Sequence, residues 1–258
     1  MILRDRQNRI ISALRVDGAA SVRELAEALD VSESTIRRDL EILDRNGELT
    51  RTYGGAMLKP GTTVEEHGGQ AWEGEYNDNI DLHLKSAIAK AAADMVVEGS
   101  VIILDIGTTT PLLARHLRGR DITVITSSLA VFDELRDDEA VRVVLLGGVV
   151  RRNYRSLVGS LAELSLSQIS ADVVFLSCTG VRANGHVVDN MAVEAPIKQS
   201  MIAASDKVIL LASEAKFPGT GALRLCSLTD IDALITTSGA PEETLELCRI
   251  AGGEVTVV

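Results

Sequence analysis

Seven short runs of apolar, mostly β-branched residues punctuate the last two thirds of the chain. They lie at Val101 to Ile106, Ile122 to Thr126, Val141 to Leu146, Val173 to Ser177, Val208 to Ala212, Ala233 to Thr236 and Val255 to Val258. Segments with helical periodicity separate them, near residues 82 to 97, 110 to 118, 129 to 136, 160 to 168, 192 to 204 and 242 to 251. A strand that is apolar on both sides must be covered on both sides, and alternation with helices supplies the cover. The pattern therefore predicts a parallel sheet in a Rossmann-like α/β domain. Sheets of this kind bind ligands beyond the carboxyl ends of their strands, so the residues just after each run are where a site is expected.

Those tips are polar or glycine-rich. Asp105-Ile106-Gly107-Thr108-Thr109-Thr110-Pro111 follows the first run, with a glycine for a tight turn, three hydroxyls and a proline at the first turn of the next helix. Backbone N–H groups and the positive end of a helix dipole make such a turn a phosphate cradle, although the G-K-[ST] of a P-loop is absent. A helix start with spare threonines fits the same residues. The next tips are Thr126-Ser127-Ser128 and Gly147-Gly148, and it is the recurrence that favours a site. Further on, Gly180 follows the fourth run, Gly185 sits in a turn, and Asp189, Glu194 and Lys198 lie where a loop enters a helix. Glu194 and Lys198 are four apart, which also suits an exposed ion pair. Lys216 stands beyond the fifth run, where its charge can meet a phosphate or simply solvent.

The first 58 residues have a different layout. Ser21 and Glu24 form an S-x-x-E capping box ahead of a helix whose Val22, Leu25, Ala26 and Leu29 share one face. Ser32 can cap a second helix in which Ile36, Leu40 and Leu43 make the buried stripe, while Thr35, Arg37 and Arg38 take the polar side. Gly47 ends it, and Leu49 to Tyr53 alternates as a short strand before Gly54-Gly55. Two short helices, a tight turn and a β-ribbon describe a winged helix-turn-helix, whose second helix suits a DNA major groove. Candidate DNA contacts are Ser21, Ser32, Ser34, Thr35, Arg37 and Arg38 on the helices, and Arg51 and Tyr53 on the wing. A three-helix cap on an enzyme is the plainer alternative. Residues 59 to 81, rich in Gly and acidic residues, read as a linker onto which Trp72 and Tyr76 fold back. The domains are thus 1–58, a linker at 59–81, and 82–258.

Charge separates the two ends. Residues 1 to 59 hold ten basic and ten acidic side chains, so the remainder carries all of the net −11. An acidic body repels a duplex, which leaves recognition to one local face that Arg6, Arg37, Arg38 and Arg51 could supply. Cys178, Cys226 and Cys248 have no C-x-x-C spacing, so neither a zinc site nor a disulfide framework is expected, and no other metal or cofactor signature is present. With no signal peptide and no apolar run near 18 residues, the sequence is expected to be cytoplasmic and away from membranes.

The run ELAEALDVSESTIRRDLEILDRNGELTRTYGGA resembles the signature of the DeoR family of bacterial transcriptional regulators, and the resemblance extends over nearly the whole chain. It implies a second domain similar to ribose-5-phosphate isomerase and the coenzyme A transferases, sensing a small phosphorylated metabolite, usually a sugar phosphate. L-D-I-G-T-T-T is similar to the family's phosphate loop, V-I-T-S-S-L-A to its T-N-S tip, L-L-G-G-V-V-R to its L-G-G-x-x-R, and S-E-A-K-F to D-x-S-K-F. By that likeness Asp105, Gly107, Thr108, Thr109, Thr110, Ser127, Gly148, Arg152 and Lys216 are effector-site candidates. The strand-tip reading adds Thr126, Ser128, Gly180, Asp189, Glu194 and Lys198. Ser213 and Ala215 replace the family's Asp and Ser, and Ser127 its Asn, which alters the end of the pocket that would meet a polyol.

Two classes of function follow. In one, the chain is a repressor of a sugar operon, binding double-stranded operator DNA as a homodimer or homotetramer and released by a phosphorylated sugar. In the other, it is a sugar-phosphate isomerase with a helical appendage, for which Glu194 and Lys198 are the available acid–base pair.

Overall fold

The protein is described from a computed structural model covering residues 6, 7, 10, 14, 19–29, 31–45, 49–52, 54–57, 79–152 and 154–258. The chain divides into two compact units, Met1–His67 and Gly68–Val258.

In the first unit β1 (Ala19–Ser21) runs directly into α1 (Val22–Leu29), and α2 (Glu33–Arg45) follows after a short turn. β2 (Thr50–Thr52) and β3 (Gly55–Met57) form the wing. The capping box forms as expected, with the Ser21 N–H donating to Glu24 Oε2 at 2.8 Å and the Glu24 N–H to Ser21 Oγ at 3.2 Å. Val22, Leu25 and Ala26 of α1 and Ile36, Leu40 and Leu43 of α2 close on Ile10, Leu14, Leu49 and Ala56 to make one core. β1 was not anticipated. It pairs antiparallel with β3, placing β3 between β1 and β2, with Ser21 opposite Gly55 and Ala20 opposite Ala56. Gly55 has no alternative here, because a Cβ would stand 2.3 Å from the Ala20 carbonyl oxygen.

The second unit opens with α3 (Asn79–Asp94), which begins three residues inside the expected linker. The rest of that segment, with Trp72 and Tyr76, lies outside the described residues. Seven parallel strands then form the central sheet: β4 (Val101–Leu104), β5 (Thr123–Thr126), β6 (Arg142–Leu145), β9 (Ala171–Ser177), β12 (Ser205–Leu211), β14 (Ala233–Thr236) and β15 (Glu254–Val257). Each coincides with one of the apolar runs. Their order across the sheet is β15-β14-β12-β9-β4-β5-β6, the doubly wound arrangement in which the chain leaves β4 in one direction and returns to place β9 on its other side.

Successive residues of the strands enter opposite layers. Ile102 and Leu104 pack with α3, α4 (Thr110–His116) and α5 (Leu129–Leu135), whereas Ile103 packs with α6 (Ser160–Leu166), α7 (Ala195–Ala203) and α8 (Glu242–Ile250). Two smaller features were not anticipated. β7 (Val149–Arg151) and β8 (Ser156–Val158) make a hairpin whose turn end meets the β5 tip, where the Leu157 N–H donates to Ser127 O at 2.8 Å. β10 (Gly180–Val181), β11 (His186–Asp189) and β13 (Leu223–Ser227) form an antiparallel sheet, with Gly185 in its turn at φ +80. None of the described helices is long and apolar enough to cross a membrane.

Candidate functional site

α2 presents its charged face outward. Ser32 caps it, accepting the Thr35 N–H at 3.3 Å and sitting 2.9 Å from both Ser34 Oγ and Thr35 Oγ1. Ser34, Arg37 and Arg38 are exposed, and so is Arg51 on β2. Arg37 pairs with Glu33 at 2.6 Å, a surface i, i+4 contact worth only about 0.3–0.5 kcal/mol, which a phosphate can displace. Among the described residues Arg38 and Arg51 have no ion pair. The Ser21 Oγ accepts the Glu24 N–H of its capping box and keeps its own proton to donate. One expectation changes: Arg6, expected on the DNA-facing surface, forks instead onto buried Asp39 at 2.5 and 3.2 Å. Only 13% of the Arg6 side chain and 2% of Asp39 stay exposed, because a carboxylate on the buried side of α2 needs a cation more than the surface does. Tyr53 lies outside the described residues.

In the second unit the carboxyl ends of β4 and β9 meet at the switch point of the sheet. Asp105, at the β4 tip, is buried and accepts the Ser177 N–H at 2.9 Å from the β9 tip. Lys198 reaches up from α7 to pair with Asp105 and donates to Ser177 O at 3.0 Å, with Asp189 Oδ2 3.7 Å away. Asp189 Oδ1 takes the N–H groups of Asn190 and Met191 at 2.7 and 2.9 Å. One turn before Lys198, Glu194 accepts from Arg151 at 2.7 Å and from Ser156 Oγ at 2.6 Å, both on the hairpin. Glu194 and Lys198 are therefore not an exposed pair: they are 1% and 2% exposed and serve different partners.

Electrostatics follow from this burial. Desolvation pushes the Asp105 carboxyl above the ordinary carboxylate range, against the pull of Lys198 and of the Ser177 and Ile106 N–H groups. Burial also disfavours the Lys198 ammonium, but Asp105 and Asp189, supported by Glu194, outweigh it and hold the lysine above its ordinary value. Burial pushes the Cys178 thiol, just past β9, up to about 11, with Lys216 and Lys198 pulling the other way.

The remaining candidates divide by what their polar atoms do. Thr126 Oγ1 donates to Leu104 O at 2.7 Å and accepts from the Ser128 N–H, and Ser128 Oγ caps α5 at Val131. Those two hydroxyls are spent on the backbone. By contrast Ser127 Oγ, Thr110 Oγ1 and Ser177 Oγ are sealed from solvent with no hydrogen-bond partner. Gly107, at φ +141, lets the loop pass Ser177, whose Oγ a Cβ would meet at 2.7 Å. Thr108 and Thr109 are half-buried, and Thr109 makes no side-chain cap to α4. Gly148 and Gly180 lie close against backbone, that of Val158 and Gly219 respectively. Lys216 sits half-buried on a single 3₁₀ turn after β12, near enough to Cys178 to act on its thiol.

Arg152, in the turn just past β7, is exposed, and it is Arg151, the last residue of that strand, that turns inward to Glu194. Arg151, Ser156 and Ser177 were not among the sequence candidates. Two of these were within reach: Arg151, on which the L-L-G-G-V-V-R motif ends, and Ser177, the last residue of the strand at the switch point.

A winged-helix head with an exposed basic recognition helix, joined to an α/β body carrying a charged cluster at its switch point, defines a DNA-binding transcriptional regulator with a sensor domain. Residues 6–60 match the family model of the DeoR-like helix-turn-helix domain, and residues 81–238 match that of the DeoR C terminal sensor domain. The chain belongs to the DeoR family. It is 34% identical over its full length to the helix-turn-helix transcriptional regulator YulB of Bacillus subtilis (strain 168), covering 98% of that protein. It is 32% identical to the transcriptional repressor GlcR of the same organism, over 88% of this chain and 85% of that one. It is 30% identical to the L-fucose operon activator of Haemophilus influenzae, over 95% and 96%. Among solved structures, ribose 5-phosphate isomerase A from Methanocaldococcus jannaschii is 18% identical with a TM-score of 0.40, covering 53% of this chain and 54% of that one.

Proposed function

We propose that this chain is a cytoplasmic repressor of a carbohydrate catabolic operon, released from its operator by a phosphorylated sugar. The observation that carries the reading is the buried Asp105–Lys198–Asp189 cluster at the switch point, with orphaned hydroxyls beside it, on a chain whose other unit exposes Arg37 and Arg38. Buried ionic groups with unmet polar neighbours mark a place where a polar ligand is expected. Thr108 and Lys216, both half-buried, past the ends of β4 and β12 on either side of β9, are assigned to its phosphate. Each chain has one recognition helix, so reading a two-fold operator calls for a homodimer or homotetramer. The names of its relatives, which include a repressor and an L-fucose operon activator, support carbohydrate control and leave the sign to the position of the operator.

An isomerase reading is less well supported, since Glu194 and Lys198, the acid–base pair it would need, are each engaged in ion pairs with other groups. The test uses a duplex selected by the purified protein from a random pool. Arg37→Ala combined with Arg38→Ala is expected to abolish specific binding with the melting temperature retained, and sugar phosphates, but not their parent sugars, to weaken the wild-type complex. Unchanged affinity in the double variant refutes the assignment of the helix, and turnover of ribose 5-phosphate that disappears in Glu194→Gln favours the enzyme.

A further inference from the structure

The charges at the switch point do not suit an anion. Three carboxylates, Asp105, Asp189 and Glu194, stand against two cations, Lys198 and Arg151. Lys198 has already been neutralised by Asp105 in contact and Asp189 at 3.7 Å. A phosphate brought against its ammonium would also stand beside those two carboxylates, in a place where water screens little of the repulsion. What the cluster lacks is donors. Asp189 is 1% exposed; its Oδ1 takes two backbone N–H groups, but its Oδ2 accepts no hydrogen bond. Ser177 Oγ, beside Gly107, is likewise sealed and unbonded, although the backbone N–H and carbonyl of the same residue engage Asp105 and Lys198. A sugar hydroxyl satisfies both atoms, since it can donate to a carboxylate and exchange a hydrogen bond with a serine, whereas a phosphate dianion has no proton to give.

We propose that this cluster reads the hydroxyl groups of the effector, with Asp189 Oδ2 as the acceptor and Ser177 Oγ as a second contact, and that the phosphate is held away from it at Thr108 and Lys216. The effector is then a sugar phosphate whose free hydroxyls lie at the end remote from the ester. This inference rests on the sugar-phosphate reading above.

Calorimetric titration with ribose 5-phosphate, fructose 6-phosphate, glucose 6-phosphate and inorganic phosphate tests it. Asp189→Asn keeps Oδ1 for the two N–H groups and puts an amide donor where the free carboxylate oxygen stood. It is expected to weaken the best sugar ester by about tenfold or more while leaving the affinity for inorganic phosphate within about twofold. Ser177→Ala is expected to shift the same ratio in the same direction without lowering the melting temperature of the free protein. Equal weakening of ester and inorganic phosphate by Asp189→Asn, or an unchanged ester affinity, overturns the inference. Binding of no ester by the wild type overturns the sugar-phosphate reading and this inference with it.

Discussion

Replacing Ser177 with alanine should make the free protein more stable. Its Oγ is closed off from solvent and has no partner, whereas its N–H and carbonyl make the contacts to Asp105 and Lys198, which alanine retains. A buried, unbonded hydroxyl costs about 1–3 kcal/mol. Deleting one buried heavy atom returns about 0.5–1.5 kcal/mol of lost packing, as for a removed methyl group. The balance is a gain of about 1 kcal/mol, and for a unit of this size that raises the melting temperature by about 2–4 °C. Scanning calorimetry of the whole chain reads it, with Ser128→Ala as the internal comparison. The Ser128 hydroxyl caps α5, so its loss is expected to cost about 1 kcal/mol and lower the melting temperature. If Ser177→Ala melts lower by as much as Ser128→Ala, the Ser177 hydroxyl is a structural group and the reasoning fails.

Arg6→Ala leaves Asp39 buried without its cation and should destabilise the first unit by about 2 kcal/mol, below the roughly 3–5 kcal/mol of a fully buried pair because the outer edge of Arg6 meets water; denaturant titration of that unit checks it. Alkaline stability should depend on Cys178. Its folded-state pKa is raised, so its contribution is complete below the unfolded value and is lost as pH rises through the folded one. A thiol moved from 9.0 to about 11 makes this effect worth up to about 3 kcal/mol. Melting temperatures between pH 9 and 11 should therefore fall in the wild type and fall less steeply in Cys178→Ala, while Cys226 and Lys198, raised in the same direction, keep some slope in both.

The sequence showed the sheet clearly because its strands are buried on both faces, and continuous apolar runs announce that condition directly. All seven runs became strands, and the stripes of α1 and α2 became the core of the first unit. Short antiparallel pieces carry no such mark. β7, β10 and β11 are two to four residues long, and their pairing depends on partners reached through turns rather than on a local pattern. Arg151 is a different case: the L-L-G-G-V-V-R motif ends on it, so the motif's own arginine stands one position before the expected Arg152. The spacing of Glu194 and Lys198 told which side of α7 they share, but not that their partners stand 43 and 93 residues away in sequence. Burial of a charge is decided by such distant residues, and helical periodicity is silent about them.

The placement of β3 between β1 and β2 has a bearing on how this protein meets DNA. Gly55 presses on the backbone of Ala20, and the Val22 N–H at the start of α1 donates to Gly54 O at 2.8 Å. The wing is thereby bolted to the root of the helix-turn-helix instead of hanging from it as a loose arm. A loose arm would have to surrender its freedom on the duplex, at about 0.5–1.5 kcal/mol for each long side chain immobilised together with the cost of its backbone. Here the backbone part of that loss has already been met during folding. The distance between Arg51 and the recognition helix is a fixed gauge, so a site with altered spacing between groove and backbone would be rejected rather than accommodated.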